Sequence, residues 1–407
     1  MKKTLAFSAL CMGFFMVILD VTIVNVALPT IANYFKTHLS ALQWIVDGYT
    51  LTFAGLLMLV GSLCDYVGAK KIFQLGLIAF ALTSLGCALS PSVTILILCR
   101  LFQGAAGALL LPSSLALITA IYQEEKQRAT AIGIWAALGG VACASGPFLG
   151  GLLTSFFSWR MVFFVNVLIG LISFFIMVYS MPLTEKVVRA RVKFDFLGQL
   201  FGFITIFLLA YGLIEAGFYG WSNPVIICCF VISATSLICF LAIESKVKHP
   251  MLPLTLFRNR VTVMALIASL VLNLAFYGEL FMIPFYFETI RHYSVLITGL
   301  AILPLPSLAI VGSYLGGKLT ATLGPAKIIG IGFIIAAIGL LALLPLQQTT
   351  PAYVWMMIPF FIIGFGVSFA TPAMTFAAIH SVEQQRSGMI AAVLYSSGII
   401  LRFFDRA

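Results

Sequence analysis

Thirteen apolar segments follow one another along the chain. They run 5–29, 41–62, 72–90, 93–120, 129–156, 161–181, 198–216, 224–244, 261–286, 294–316, 327–346, 352–378 and 389–401. A helix needs about 20 mostly apolar residues to cross a bilayer, and all but the last segment approach or exceed that length. This pattern predicts an all-α polytopic membrane protein. Composition agrees: 62% of the 407 residues are hydrophobic and 9% are charged, against about a quarter charged in soluble proteins. An ordinary soluble enzyme is excluded on that ground. The first segment follows Met1-Lys2-Lys3, is too long for a signal-peptide core and contains Asp20, so it reads as a retained span.

The net charge of +10 has a place rather than a partner. With the N-terminus on the cytoplasmic side, the inside loops hold 17 of the 23 Lys and Arg residues and the outside loops hold three: Lys36, Arg160 and Arg291. Such asymmetry follows the positive-inside rule and predicts a cytoplasmic N-terminus. No basic tract with interleaved aromatics is present, so nucleic acid is not an expected partner. The eight cysteines lie in or beside apolar runs and read as small buried thiols. Cys228 and Cys229 are adjacent, too close for an ordinary disulfide. His38, His249, His292 and His380 are scattered, without metal-ligand spacing. No metal or cofactor is expected.

An internal repeat organises the chain. Gly61 to Gly68 and Gly317 to Gly324 both read G-x-L-x-x-x-x-G, at an offset of 256. Pro29 and Pro284 share an offset of 255, and Glu125-Lys126-Gln127-Arg128 matches Glu383-Gln384-Gln385-Arg386 at 258. Parallel repeats of six spans are a transporter architecture. Two pseudo-symmetric six-helix bundles are therefore expected, with an inserted two-helix hairpin and an incomplete second bundle. The boundaries are 1–182 for the first bundle, 183–260 for linker and spans 7–8, and 261–407 for spans 9–13. Span 13 answers to span 5 but is short, and nothing answers to span 6. A chain cut short is the expectation, with a thirteen-span protein as the alternative.

Several stretches carry a resemblance. Leu19-Asp20-Val21-Thr22-Ile23-Val24-Asn25-Val26-Ala27-Leu28-Pro29 resembles the first-span motif of fourteen-span drug:proton antiporters of the major facilitator superfamily. Gly61 to Lys71 resembles the superfamily's loop 2–3 motif, although Tyr66 and Ala69 stand where basic residues are usual. Arg100-Leu101-Phe102-Gln103-Gly104-Ala105-Ala106-Gly107-Ala108 resembles the fourth-span motif. Gly139 to Gly151, ending Gly146-Pro147-Phe148-Leu149-Gly150-Gly151, resembles the fifth-span antiporter motif, and Trp159-Arg160 with Phe164 and Asn166 continues the pattern. The resemblance implies a multidrug-type exporter that exchanges small amphiphilic or cationic compounds for protons across a bacterial inner membrane. A native-metabolite exporter and a non-transporting truncated product are the alternatives. A membrane enzyme is not expected, since no phosphate loop, clustered histidines or nucleophile elbow is present.

Charges inside apolar runs are costly and mark candidate sites. Asp20 and Arg100 fall at similar depth, in the outer half of spans 1 and 4. A carboxylate taken out of water holds its proton more tightly, and a nearby guanidinium favours release. Proton coupling through Asp20, modulated by Arg100, is one reading; a static ion pair is the other. Substrate-cavity candidates are Asn25, Trp44, Asp47, Tyr49, Gln103, Glu215 and Glu279. A wet outer mouth explains Glu215 and Glu279 equally, and interfacial anchoring explains Trp44 and Tyr49. Gly61, Asp65, Gly68, Lys70 and Arg128 are candidates for a cytoplasmic gate, or for ordinary topology charge. Gly139, Gly146, Pro147, Gly150 and Gly151 allow close helix packing and a kink, and the resemblance implies a seal against proton leak there. Asp195 reads as the N-cap of span 7.

Overall fold

The computed structural model describes residues 2–180, 196–247, 260–347 and 352–380. Asp195, the 383–386 motif and the segment 389–401 lie outside the described residues, as does the side chain of Asp65. Each remaining apolar segment is helical. The first eight helices are α1 (Lys2–Phe35), α2 (Leu39–Val67), α3 (Ala69–Ala88), α4 (Val93–Ile121), α5 (Glu125–Phe156), α6 (Met161–Ser180), α7 (Phe196–Tyr219) and α8 (Pro224–Glu244). Then follow α9 (Arg260–Phe285), a π-helical turn (Tyr286–Ile290), α10 (Val295–Ile302), α11 (Pro304–Ser307), α12 (Ala309–Leu323), α13 (Pro325–Gln347) and α14 (Tyr353–His380).

Local chemistry sets several boundaries. Ser92, Asn223 and Ser294 accept from the backbone N–H of Ile95, Val225 and Ile297, capping α4, α8 and α10. Each cap satisfies a donor that the first helical turn leaves without a partner. Pro224 follows its cap at the first helical position, where its missing N–H costs nothing. The tenth apolar segment is not one regular helix. Pro304 and Pro306 interrupt it, and the chain passes through α10, α11 and α12.

Among the described residues, eleven helices or helix runs are long and apolar enough to cross a membrane, α10–α12 counting as one. The 29-residue α2 forms as expected but is not among the eleven. Together with the segment 389–401, it accounts for the difference from the thirteen expected spans. The protein is a multi-pass integral membrane protein.

Two compact units are present, residues 1–251 and 252–407. In the first, α4 packs on α2, α3 and α1, while α1 also packs on α5 and α6. The α7–α8 hairpin packs on α2 within this unit. In the second unit, α14 packs on α13, α12 and α9. The α1–α4 pairings thus recur in α9–α14. The G-x-L-x-x-x-x-G repeat has a backbone counterpart: Gly68 and Gly324 both have positive φ, at +102° and +82°. Each ends one helix and reverses the chain into the next.

Interhelical contacts rely on small residues and hydroxyls, as lipid offers no hydrophobic drive between helices. Thr52 donates to the Leu101 carbonyl at 2.7 Å, Ser173 to that of Ala9 at 2.8 Å and Ser233 to that of Thr205 at 2.8 Å. In the second unit, Tyr353 donates to the Ala301 carbonyl at 3.0 Å. No disulfide joins the eight cysteines, all of which lie among the described residues. Cys229 is buried, but Cys228 is exposed, correcting the expectation of uniformly buried thiols. Neighbouring positions on a helix point about 100° apart, so one side of α8 cannot hold both.

Candidate functional site

Five helices of the first unit converge on Asp20. Its helix α1 is crossed by α4 at Arg100, and the guanidinium Nη1 forms an ion pair with Asp20 Oδ2. Both side chains are fully enclosed, at 0% and 1% exposure. The remaining lone pairs of Asp20 are met by amides. Asn166 Nδ2 from α6 donates to Oδ1 at 2.7 Å, and Gln103 Nε2 from α4 donates to it at 3.1 Å. Gln103 also donates to Ser84 Oγ of α3 at 2.7 Å and accepts from Arg100 Nη1 at 2.8 Å.

Arg100 is held on its other sides too. Its Nε donates to the Ile45 carbonyl of α2 at 2.7 Å, and its guanidinium carbon lies 4.3 Å from the centre of the Tyr49 ring. Phe163 of α6 supplies a second ring at 5.7 Å. Tyr49 donates its hydroxyl to the Val17 carbonyl at 3.3 Å. Removing two charges from water is costly, and such a pair persists only when its geometry and further hydrogen bonds are good. Here both carboxylate oxygens, and Nε and Nη1 of the guanidinium, have partners. One buried atom at the edge does not: Asn166 Oδ1 has no partner among the described residues.

Glycine positions let the fifth-span motif press on this centre. A Cβ at Gly146 would overlap Thr22 Oγ1, and one at Gly150 would lie 2.5 Å from the Ile23 carbonyl oxygen. Thr22 and Ile23 follow Asp20 within a turn. Gly139 faces the ring of Phe14, which stacks on Trp135 at 3.7 Å. Pro147 lies inside α5 and Gly151 is buried. On the opposite side, a Cβ at Gly104 would overlap the Tyr49 carbonyl oxygen, so α4 and α2 touch backbone to backbone.

The other expected site residues are distributed more widely. Asn25 is buried on α1, but its amide donates to Val21 and Thr22 carbonyls of the same helix. Trp44 and Glu215 meet across 171 residues: Trp44 Nε1 donates to Glu215 Oε1 at 2.8 Å, joining α2 to α7. Phe207 and Tyr211 lie beside the indole, each at 5.8 Å. Asp47 is fully buried one turn beyond Trp44. Glu279 belongs to the second unit; both of its carboxylate oxygens are buried without a partner among the described residues.

Of the expected gate, Gly68 takes the turn between α2 and α3, and Lys70 is buried at the start of α3. Gly61 has no neighbour within 4 Å of its Cβ direction, and Arg128 is half-buried in the first turn of α5. Asp65 and Arg128 remain a candidate pair, because the Asp65 side chain is outside the described residues. Ser84, the Ile45 carbonyl and Asn166 as a donor join the site only in the folded protein. An amide inside the apolar run 161–181 was the signal available for Asn166. Among the described residues no three His, Cys, Asp or Glu side chains form a group fit for a metal ion.

Comparison with known proteins places this polytopic helical membrane protein in the class of membrane transporters, not enzymes. The chain belongs to the Major Facilitator Superfamily, whose family model matches residues 10–404. It is 33% identical over 385 residues to the methylenomycin A resistance protein of Bacillus subtilis (strain 168), covering 95% of this chain and 82% of that protein. It is also 33% identical over 384 residues to the multidrug resistance protein Stp of Mycobacterium tuberculosis (strain CDC 1551 / Oshkosh), covering 94% and 71%. The fold is similar to a crystal structure of a bacterial homologue of the human lysosomal transporter Spinster, with a TM-score of 0.67 at 17% identity, covering 100% of this chain and 81% of that one.

Proposed function

We propose that this protein is a proton-coupled secondary transporter of the drug:proton antiporter type. It exports small amphiphilic or cationic compounds across a bacterial inner membrane by alternating access, with its N-terminus in the cytoplasm. The names of the relatives support export of drugs, and the 17-to-3 distribution of basic residues supports the orientation.

The observation that carries the coupling is the buried Asp20–Arg100 pair with its two amides. While the pair is closed, Asp20 is satisfied as an anion. Motion that parts α1 from α4 leaves a desolvated carboxylate, and a proton then replaces the guanidinium. A protonated Asp20 is itself a donor. Asn166 supports this exchange, because turning its amide over offers the partnerless Oδ1 to the new O–H. Gly146 and Gly150 bring α5 against the same turn of α1, so movement of α5 acts directly on the pair.

The test is ethidium transport in inverted membrane vesicles under an imposed proton gradient. Wild type should accumulate ethidium and consume the gradient in doing so. Asp20→Asn should abolish both. Undiminished proton-driven uptake in Asp20→Asn would overturn the assignment.

A further inference from the structure

The hairpin of α3 and α4 brings two thiols together beside the Asp20 centre. Cys87 is the last residue but one of α3, and Cys99 lies in the second turn of α4. Their side chains share a hydrogen bond. Gly86 makes the room for it: a Cβ there would lie 2.9 Å from Cys99 Sγ and 3.8 Å from Cys99 Cβ. The missing side chain lets the Cys99 sulfur lie against α3, next to Cys87. On its other side, Cys87 Sγ donates to Gln103 Oε1 at 3.5 Å, and Gln103 in turn donates to Asp20.

The pair is reachable from one side. Cys87 is fully buried, whereas Cys99 is half-buried. Ile95 and Phe102 lie one turn to either side of Cys99 on the surface of α4. Both are exposed, as is Leu98, so this side of α4 is turned outward and apolar. An apolar reagent dissolved in the bilayer meets Cys99 first and finds Cys87 behind it. The adjacent Cys228 and Cys229 offer no such pair: they point about 100° apart around α8, one exposed and one buried. Among the described residues no third His, Cys, Asp or Glu joins Cys87 and Cys99 in a group fit for a metal ion, so four-coordinate zinc is not provided for. Two soft sulfurs suit a soft centre that needs only two of them.

We propose that Cys87 and Cys99 form a dithiol site for trivalent organoarsenicals. In the step, two As–O bonds of R–As(OH)2 break and two As–S bonds form. Each departing hydroxide takes one thiol proton and leaves as water. Arsenic stays trivalent, so no oxidant or reductant is consumed. An arsenic atom spanning two sulfurs does not require the narrow torsion of a disulfide. Once bridged, Cys87 has no S–H to give Gln103, and α3 is fastened to α4 at the residue before Arg100. The site is separate from whatever compound the protein exports.

Phenylarsine oxide added to the purified full chain in detergent tests it, read by intact-mass spectrometry. Wild type should keep one phenylarsenic group through a wash in excess 2-mercaptoethanol, a monothiol, and lose it to 2,3-dimercaptopropanol, a dithiol. Cys87→Ser and Cys99→Ser should each keep at least about tenfold less after the monothiol wash, because a group held at one point lacks the effective concentration of the second thiol. A chain carrying both Cys228→Ser and Cys229→Ser should keep the group as wild type does. Peptide mapping of wild type needs no variant: bound phenylarsine oxide should shield Cys87 and Cys99 from N-ethylmaleimide. Retention unchanged in Cys99→Ser, retention lost with Cys228 and Cys229, or shielding confined to other cysteines would each overturn the proposal.

Discussion

Arg100 grips Asp20 across 80 residues of sequence, with neither side chain more than 1% exposed. The pair ties α1 to α4, and the Ile45 carbonyl, Gln103 and Asn166 extend the tie to α2 and α6. Its energetic weight lies less in attraction than in what either partner would suffer alone.

Breaking the pair from one side should therefore cost more than removing it whole. Asp20→Asn and Arg100→Gln are each expected to lose about 3–5 kcal/mol of stability, because a buried charge is left without its counterion. The double variant should be more stable than the sum of the singles predicts. Thermal unfolding of the purified proteins measures this, and strictly additive losses would show the pair to be energetically idle.

Close packing at the fifth-span motif gives a second prediction. Gly150→Ala sets a Cβ 2.5 Å from a backbone oxygen of α1, which has no side-chain rotamer to yield. A loss of about 1–3 kcal/mol is expected, together with loss of proton-driven ethidium transport. Gly140 is the control on the same helix. Its Cβ direction is open, so Gly140→Ala should be neutral or stabilising by up to about 1 kcal/mol. Equal behaviour of the two variants would remove the steric argument.

Much of this site was legible beforehand, and the reasons are physical. Asp20 and Arg100 stand out because a charge inside an apolar run is expensive, and counting residues from each membrane face put them at one depth. Eleven of the twelve helical segments within the described residues keep their boundaries to within six residues, because long apolar runs leave little else to form. The exception, 294–316, breaks at Pro304 and Pro306; a proline can kink a helix or end it, and only packing decides which. The Trp44–Glu215 bond was not legible. Residue type marks both as candidates, but only packing of α7 on α2 brings them within reach. The π-helical turn after Pro284 has no composition signature at all.

Backbone conformation supplies a third prediction, in the second unit. Gly324 has φ +82° and ψ 153°, a region essentially closed to residues with a side chain. No atom lies within 4 Å of its Cβ direction, so crowding is not the obstacle. Gly324→Ala should cost about 1–3 kcal/mol from strain alone. Gly324→Asn should not rescue it, because asparagine tolerates positive φ chiefly near ψ +47°. Thermal unfolding decides it, and a harmless asparagine would show that the turn relaxes into an ordinary left-handed form.

The clasp between α2 and the α7–α8 hairpin gives a fourth. Trp44→Phe keeps an aromatic ring beside Phe207 and Tyr211 but removes the donor to Glu215. The expected cost is about 1.5–3 kcal/mol, typical of a hydrogen bond to a charged group. Glu215→Gln retains an acceptor and should cost less, about 0.5–1.5 kcal/mol. Hydrogen exchange of α7 backbone amides should rise in Trp44→Phe before that of α3, and uniform protection in both variants would argue that the clasp is incidental.

The closed Asp20–Arg100 pair has no net charge, and under the proposed proton exchange this has a consequence for membrane voltage. A neutral pair moving as one does no electrical work in the membrane field. Once a proton occupies Asp20, the positive charge of Arg100 is uncompensated. Its displacement then exchanges work with the field, up to about 2.3 kcal/mol per 100 mV for a full crossing. If the pair opens as proposed, the same two residues would be electrically silent when joined and electrically active when parted, and membrane potential would bias the open step.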